Sequence, residues 1–444
     1  VDVEATRQPD PATPDSAGPP PAARPHVPRA PSGWQRYFGA LKYGPLRLVW
    51  LAQIISQVGD GMMTIALIWL TINLAHGSSS SGLALSAILV AQTLPYIFGV
   101  FTGALVDRWE RLSTMLASDI SRGVIVLLIP IINAISPLHV WELTVMSFLL
   151  GLAGQFFDPA KAALTPSLVP PEELTSANAL LQFTRQVLFI AGPAIGGSLI
   201  ALAGALGVFW VDAVSFFGSA AVLLVLRRRS ARVYKAPGSA TRSGSDILRD
   251  IAAGFRYIHH RARLRAVIVV GAVLNFMLSP LPLLIPLYIK RVVKSGAIQF
   301  GSLTSIIFVG FAVGAVIVYV WGNRLGKGRL AGAAIVGTGI ASAGFALGLP
   351  LWPTMAIGAV GGAGIGIANI AATTIVQEQS ADEFRGRVYA FYDSLAQMGR
   401  PLSLVVGAFA ADALGIRAVF LIVGVVTALT GVPVLAVPSL RDTP

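Results

Sequence analysis

Among the ionisable side chains inside the long apolar runs of this chain are Asp60, Asp119, Arg122, Arg185, Asp393 and Arg400. A charge at the centre of a bilayer costs roughly 2.5–3.5 kcal/mol on insertion scales, so each needs a partner, a proton or a wet hollow. Asp60, halfway along the first run, is expected to be a lone buried acid that gains a proton on one side of the membrane and releases it on the other. Two other roles stay open for it: a hydrogen bond to a neighbouring helix, or binding of a cationic substrate without proton transfer. Asp119 and Arg122 are three residues apart and can neutralise each other on one helix face. Arg185 and Asp393 fall at matching places in the two halves of the chain and could form a latch present in one state only. Arg400 could attract an anionic substrate group, snorkel, or cap a carbonyl. Gln92, Asn275, Phe276 and Asn369, near mid-depth, are candidates to line a cavity or to hydrogen-bond between helices.

Other chemistry is excluded by what the chain lacks. Zero cysteines remove disulfides, iron–sulfur clusters, thiolate zinc and cysteine nucleophiles. None of the five histidines falls at mid-membrane, so no histidine relay, metal site or other cofactor is expected. Neither H-E-x-x-H nor G-x-S-x-G occurs, and an enzyme is not expected. Gly322 to Lys327 is one residue short of a phosphate loop and lacks the Ser or Thr that follows it, which leaves no case for ATP.

The elements that must hold these residues follow from composition. Of 444 residues, 55% are hydrophobic and 12% charged, with mean hydropathy +0.72, the values of an integral membrane protein. Twelve apolar stretches are counted, at 46–74, 83–106, 112–134, 139–161, 176–202, 206–226, 265–289, 299–321, 330–350, 354–377, 388–412 and 416–437. Backbone groups in hydrocarbon must satisfy one another, so each stretch is expected to be a helix. Residues 1–45 form an expected disordered tail, with nine prolines in the first 33 positions. The first bundle is 46–226, a basic linker 227–264, the second bundle 265–437, and 438–444 a short tail. Lys and Arg concentrate on the side that holds both termini, which places those termini in the cytoplasm of a cell (inner) membrane protein. The net charge of +12 then speaks for contact with anionic lipid rather than nucleic acid.

The halves echo each other. A shift of 208 residues places Pro401 on Pro193, Phe391 on Phe183 and Gly415 on Gly207, as in transporters built from two parallel repeats. The loop after the second span reads Gly103-Ala-Leu-Val-Asp107-Arg108-Trp-Glu-Arg111, which resembles the G-x-L-x-D-R-x-x-R signature of the major facilitator superfamily. Glu110 and Ser113 depart from the usual residue types there. The second copy has Gly326 in place of the acid.

Several further strings resemble the drug and siderophore exporters of that superfamily, the macrolide-efflux and enterobactin-exporter branch. They are Gly59-Asp60, Asp158-Pro159-Ala160-Lys161, Asn178-Ala-Leu, Gln377-Glu378 and Phe384-Arg385-Gly386-Arg387. Gly192-Pro193-Ala-Ile-Gly196-Gly197 resembles the core of the antiporter motif on helix five, without its upstream glycine. The resemblance implies an all-α fold of twelve transmembrane helices in two pseudo-symmetric six-helix bundles. It implies a gate in which Asp107 faces the start of helix eleven near Gly386 and Arg111 pairs with Asp158. It also implies efflux of an amphipathic small molecule by alternating access, which proton exchange at Asp60 would couple to the proton gradient. A lipid or lysolipid flippase, an importer, and a channel or non-transporting sensor are the alternatives.

Overall fold

The computed structural model describes residues 39–75, 81–98, 105–106, 108–229 and 255–436, apart from the side chains of Asn323, Asp382, Glu383, Arg385, Ala390, Asp393 and Ala396. Gly103, Asp107, the Asp393 side chain, the expected disorder of the tail before residue 39 and most of the basic linker lie outside the described residues.

The described chain is almost wholly helical, as backbone buried in hydrocarbon requires. In chain order the helices are α1 (Gly44–Leu74), α2 (Ser81–Thr93, continued by a 3-10 turn Leu94–Phe98), α3 (Arg111–Ile135) and α4 (Val140–Gly154, continued by Phe157–Leu164). One run, Leu174–Arg229, holds both α5 (174–203) and α6 (205–229). Then come α7 (Ala262–Leu278, continued by Leu281–Arg291), α8 (Ala297–Leu325), α9 (Lys327–Gly344), α10 (Leu351–Gln379), α11 (Asp382–Leu414) and α12 (Ile416–Ala436). Each expected apolar stretch overlaps one of them, with residues 99–104 of the second stretch outside the described residues. Nine helices among the described residues are long and apolar enough to cross a membrane, with α5 and α6 joined as one of the nine. The other two are α2, which is shorter, and α11, whose first turns carry charges.

Three of the sharp reversals are made by glycine at positive φ: Gly204 (72°) between α5 and α6, Gly326 (80°) between α8 and α9, and Gly415 (85°) between α11 and α12. Only glycine adopts this backbone without strain. The 208-residue alignment set Gly207 opposite Gly415. The turn is instead made by Gly204, and Gly207 is helical.

Within the first six helices α1 lies along α5; within the last six α8 packs on α10, and α9 on both α10 and α12. The two sets meet where α5 packs on α8 and α2 on α11. Glycines of α5 make both kinds of contact. A Cβ at Gly192 or Gly196 would stand 2.8 Å from the backbone of Gly61 or Met62 in α1, and one at Gly197 would stand 2.5 Å from the Ala297 carbonyl oxygen of α8. Small residues let helix backbones approach where no hydrophobic effect drives them together. The α5 string therefore serves as packing surface on two sides.

Side-chain bonds joining the two sets gather toward the end that carries Leu74. Lys290 bonds Asn73 and lies 5.4 Å from the centre of the Trp69 ring. Arg291 bonds Ser81 and stands 3.9 Å from Asp412, whose carboxylate packs on Gly82. The Ala194 N–H donates to the Ser305 hydroxyl at 3.0 Å. Toward the opposite end the helices enclose open space.

Candidate functional site

Asp60 sits at the middle of α1 with a third of its side chain exposed, and it is ion-paired to Arg122 of α3. The Asp119 carboxylate, one turn earlier on α3, is 3.7 Å from the same guanidinium. Asp119 is wholly buried and accepts a 2.5 Å hydrogen bond from the Ser219 hydroxyl of α6. The Phe216 ring lies 4.2 Å from the Arg122 guanidinium carbon, a cation–π contact that adds to the pairing. The expectation of a solitary acid on α1 is therefore corrected: Asp60 belongs to a network of charges on three helices. The expected Asp119–Arg122 contact exists, but Arg122 gives its hydrogen bond to Asp60.

A further acid completes the network. Asp212 of α6 is wholly buried, one oxygen accepting from Ser215 at 3.2 Å and the other without a hydrogen-bond partner among the described residues. Sequence reasoning passed over it, although its signal was the one that singled out Asp60, an acid within an apolar run. What the sequence could not show is that α6 turns Asp212 inward onto Gly59, where a Cβ would stand 2.0 Å from its carboxylate oxygen.

Asp60 and Arg122 face a cavity of about 470 Å³ between the two sets of helices, also lined by Gln92, Asp158, Arg185, Gln397 and Arg400. A second cavity of about 260 Å³, lined by Asn275, Thr338, Asn369 and Tyr392, shares Gln397 and Arg400 with the first. So Gln92, Asn275, Asn369 and Arg400 border cavity space. Phe276 lines neither of these two cavities; its carbonyl oxygen accepts from the Ser403 hydroxyl, a packing bond between α7 and α11. One wall of the hollow carries paired acids and arginines from the first six helices, Asp60 with Arg122 and Asp158 with Arg185, and the other carries Arg400 with neutral amides and hydroxyls from the last six.

The structure departs from the expected gate at Asp158. Asp158 pairs with Lys161 at 2.7 Å and Arg185 at 3.9 Å, not with Arg111. Lys161 is one helical turn away on the same helix, so it needs no conformational change to reach the acid. The Arg111 Nε is buried without a hydrogen-bond partner among the described residues, and Arg108 is exposed. Arg185 engages Asp158 here, and the Asp393 side chain, its expected latch partner, lies outside the described residues. Glu110, a departure from the signature, accepts from the Ser113 hydroxyl and lies 3.5 Å from Arg227 at the end of α6, so it ties α3 to α6. Asp107 lies outside the described residues. A Cβ at Gly386 would meet no described atom within 4 Å.

The geometry is that of a transport hollow, and comparison with known proteins agrees. The transmembrane secretion effector family model matches residues 37–442. The multidrug efflux pump Tap of Mycolicibacterium fortuitum is 28% identical over 411 residues, covering 90% of this chain and 97% of that protein. Macrolide efflux protein A of Streptococcus pyogenes is 24% identical, covering 85% and 91%. Among solved structures, the nucleoside transporter NupG superposes with a TM-score of 0.68 at 14% identity, covering 88% of this chain and 98% of that one. A bacterial homologue of the iron transporter ferroportin, in an inward-facing state, gives 0.66 at 16% identity over 88% and 98%. With the family model spanning nearly the whole chain and the fold shared with those transporters, the protein belongs to the transmembrane secretion effector family of the major facilitator superfamily and is a multi-pass membrane transporter, not an enzyme.

Proposed function

We propose that the protein exports amphipathic, drug-like small molecules from the cytoplasm by alternating access, driven by protons entering in exchange. The observation that carries this reading is the polar hollow between the two sets of helices, drawn together toward the Leu74 end and bordered by the Asp60–Arg122 pair. With both termini in the cytoplasm, the sealed end is the outer one, and the hollow is reached from the cytoplasm or the inner leaflet. The similarity to multidrug and macrolide efflux pumps supports the outward direction.

Asp60 is the cavity-facing acid of the pair and the one in position to trade a proton with water in the hollow. Neutralising it frees Arg122 for another partner, which links protonation to helix rearrangement. Arg400, on the opposite wall, supplies positive charge for an acidic or carbonyl group of the substrate. The α5 string Gly192-Pro193-Ala-Ile-Gly196-Gly197 is the surface on which the outer end closes.

Purified protein in liposomes, loaded with a lipophilic fluorescent cation or a macrolide, tests the reading. An imposed pH gradient is expected to drive accumulation in wild-type vesicles, and Asp60→Asn is expected to abolish that dependence. Transport of these probes that ignores both the gradient and Asp60→Asn refutes proton coupling.

A further inference from the structure

One guanidinium stands among three carboxylates at the centre of the first six helices. Asp60 of α1 and Asp119 of α3 both pair with Arg122, and Asp212 of α6 is seated against Gly59, the residue next to Asp60. The other charges near this side of the hollow belong to α4 and α5, where Lys161 and Arg185 are held on Asp158. Arg400 of α11 stands across the cavity. If all three acids were ionised, two negative charges would be left without a cation, one of them on Asp212, which is wholly buried. An unpaired buried ion is far more costly than a neutral buried carboxyl. The only described hydroxyl donating to Asp212 is that of Ser215, at 3.2 Å, and its second oxygen has no hydrogen-bond partner among the described residues. The space this acid occupies exists because residue 59 has no side chain: a Cβ there would be 2.0 Å from Asp212 Oδ1 and 2.2 Å from Ser215 Oγ. Gly59 thus seats Asp212 directly beside the backbone that carries Asp60.

We propose that Asp212 is a second proton-binding carboxylate and the alternative partner of Arg122. Asp212 is neutral in this state, where Arg122 holds Asp60, and becomes ionised when Arg122 turns to it and Asp60 takes the proton. In that step the O–H bond of the Asp212 carboxyl breaks as one forms on Asp60, directly or through a water in the hollow, and the guanidinium keeps its charge throughout. The exchange solves a problem the Asp60 reading leaves open. Protonating Asp60 alone would strand a buried guanidinium with only Asp119, at 3.7 Å, which Ser219 already holds. With Asp212 available, Arg122 is paired in both states, and Asp60 is free to trade its proton with solvent.

The inference rests on proton coupling, and one experiment separates the failure of each. Wild type, Asp212→Asn and Asp212→Glu are reconstituted in liposomes with ethidium as probe. Accumulation driven by an imposed pH gradient is measured alongside exchange of labelled for unlabelled ethidium at equal concentrations without a gradient. The expected result is that Asp212→Asn still exchanges ethidium but no longer accumulates it, and that Asp212→Glu recovers part of the accumulation. Wild-type exchange without gradient-driven accumulation would overturn proton coupling itself, and the inference with it. Accumulation by Asp212→Asn at the wild-type level would overturn the inference alone and leave Asp60 as the sole carrier. Loss of both exchange and accumulation in Asp212→Asn, with no recovery in Asp212→Glu, would assign Asp212 a purely structural role and also overturn it.

Discussion

Arg122 is the residue on which the charge balance of the first six helices turns. Removing its guanidinium leaves the buried Asp119 carboxylate with a serine hydroxyl alone and leaves Asp60 unpaired. Taking one partner from a buried ion pair costs about 3–5 kcal/mol; the partial exposure of Asp60 to the cavity places the expected loss for Arg122→Met near the lower end. The strain comes from ionised carboxylates, so it eases as they are protonated. Arg122→Met is therefore expected to lower the melting temperature of the detergent-solubilised protein more at pH 8 than at pH 5, which a thermal shift series across that range measures. An equal loss at both pH values would mean that packing against Phe216, not charge, is what Arg122 contributes. At this scale the sequence was informative about residue types and poor at assigning partners. Asp60, Asp119 and Arg122 stood out because ionisable groups in apolar runs are expensive. Asp212 met the same criterion without being weighed, and Asp158 joins Lys161 and Arg185 rather than Arg111 because the nearer cations are on its own helix and on α5.

Glycine placement governs how the helices meet. The α5–α8 approach is closest at Gly301, where a Cβ would stand 2.2 Å from the Pro193 carbonyl oxygen, and at Gly197. Both are backbone contacts that no side-chain rotation relieves, so a branched residue must push the helices apart. Gly301→Val is expected to open the Leu74 end. The chain has no cysteine, so a single Ser81→Cys, at a position buried where α2 meets Arg291, reports on that end without background: its labelling by a membrane-impermeant maleimide should rise in the Gly301→Val protein and stay low without it. Unchanged labelling would show that this contact does not hold the end shut. The tenth helix behaves similarly within the last six: Gly362 and Gly366 each lie against a backbone carbonyl of α8, in keeping with the close packing its glycine-rich sequence suggested. The motif on α5 was visible in sequence, but its division of labour between α1 and α8 depends on the rotation of α5 about its own axis.

For the whole molecule, the distribution of Lys and Arg and the closure of one end make a joint prediction about sidedness. A cysteine placed at Ser136, between α3 and α4, is expected to react with an impermeant maleimide on intact cells. One placed at Glu172, between α4 and α5, is expected to react only after permeabilisation. The reverse pattern would put the hollow on the outside and turn the reading toward import. On that expected orientation Lys290 and Arg291 would fall on the outer side, against the basic bias of the inner loops. They are held by Asn73, Ser81 and Asp412, and their role is to join the two sets of helices.

Hydrophobicity is summed along a chain, and a long apolar run has only one economical backbone conformation in lipid. Run length, composition and the loop signature were therefore enough to point to a multi-pass helical transporter of this superfamily and to place its described helices to within several residues. Ion pairing and cavity lining depend on which helix faces are turned toward one another, and no single run encodes that. The pairing of Asp60 and Asp119 with Arg122, the seating of Asp212 on Gly59, the meeting of two cavities at Arg400, and the making of the α5–α6 turn by Gly204 rather than Gly207 were decided by tertiary packing. Each depends on rotations and close approaches between helices far apart in sequence.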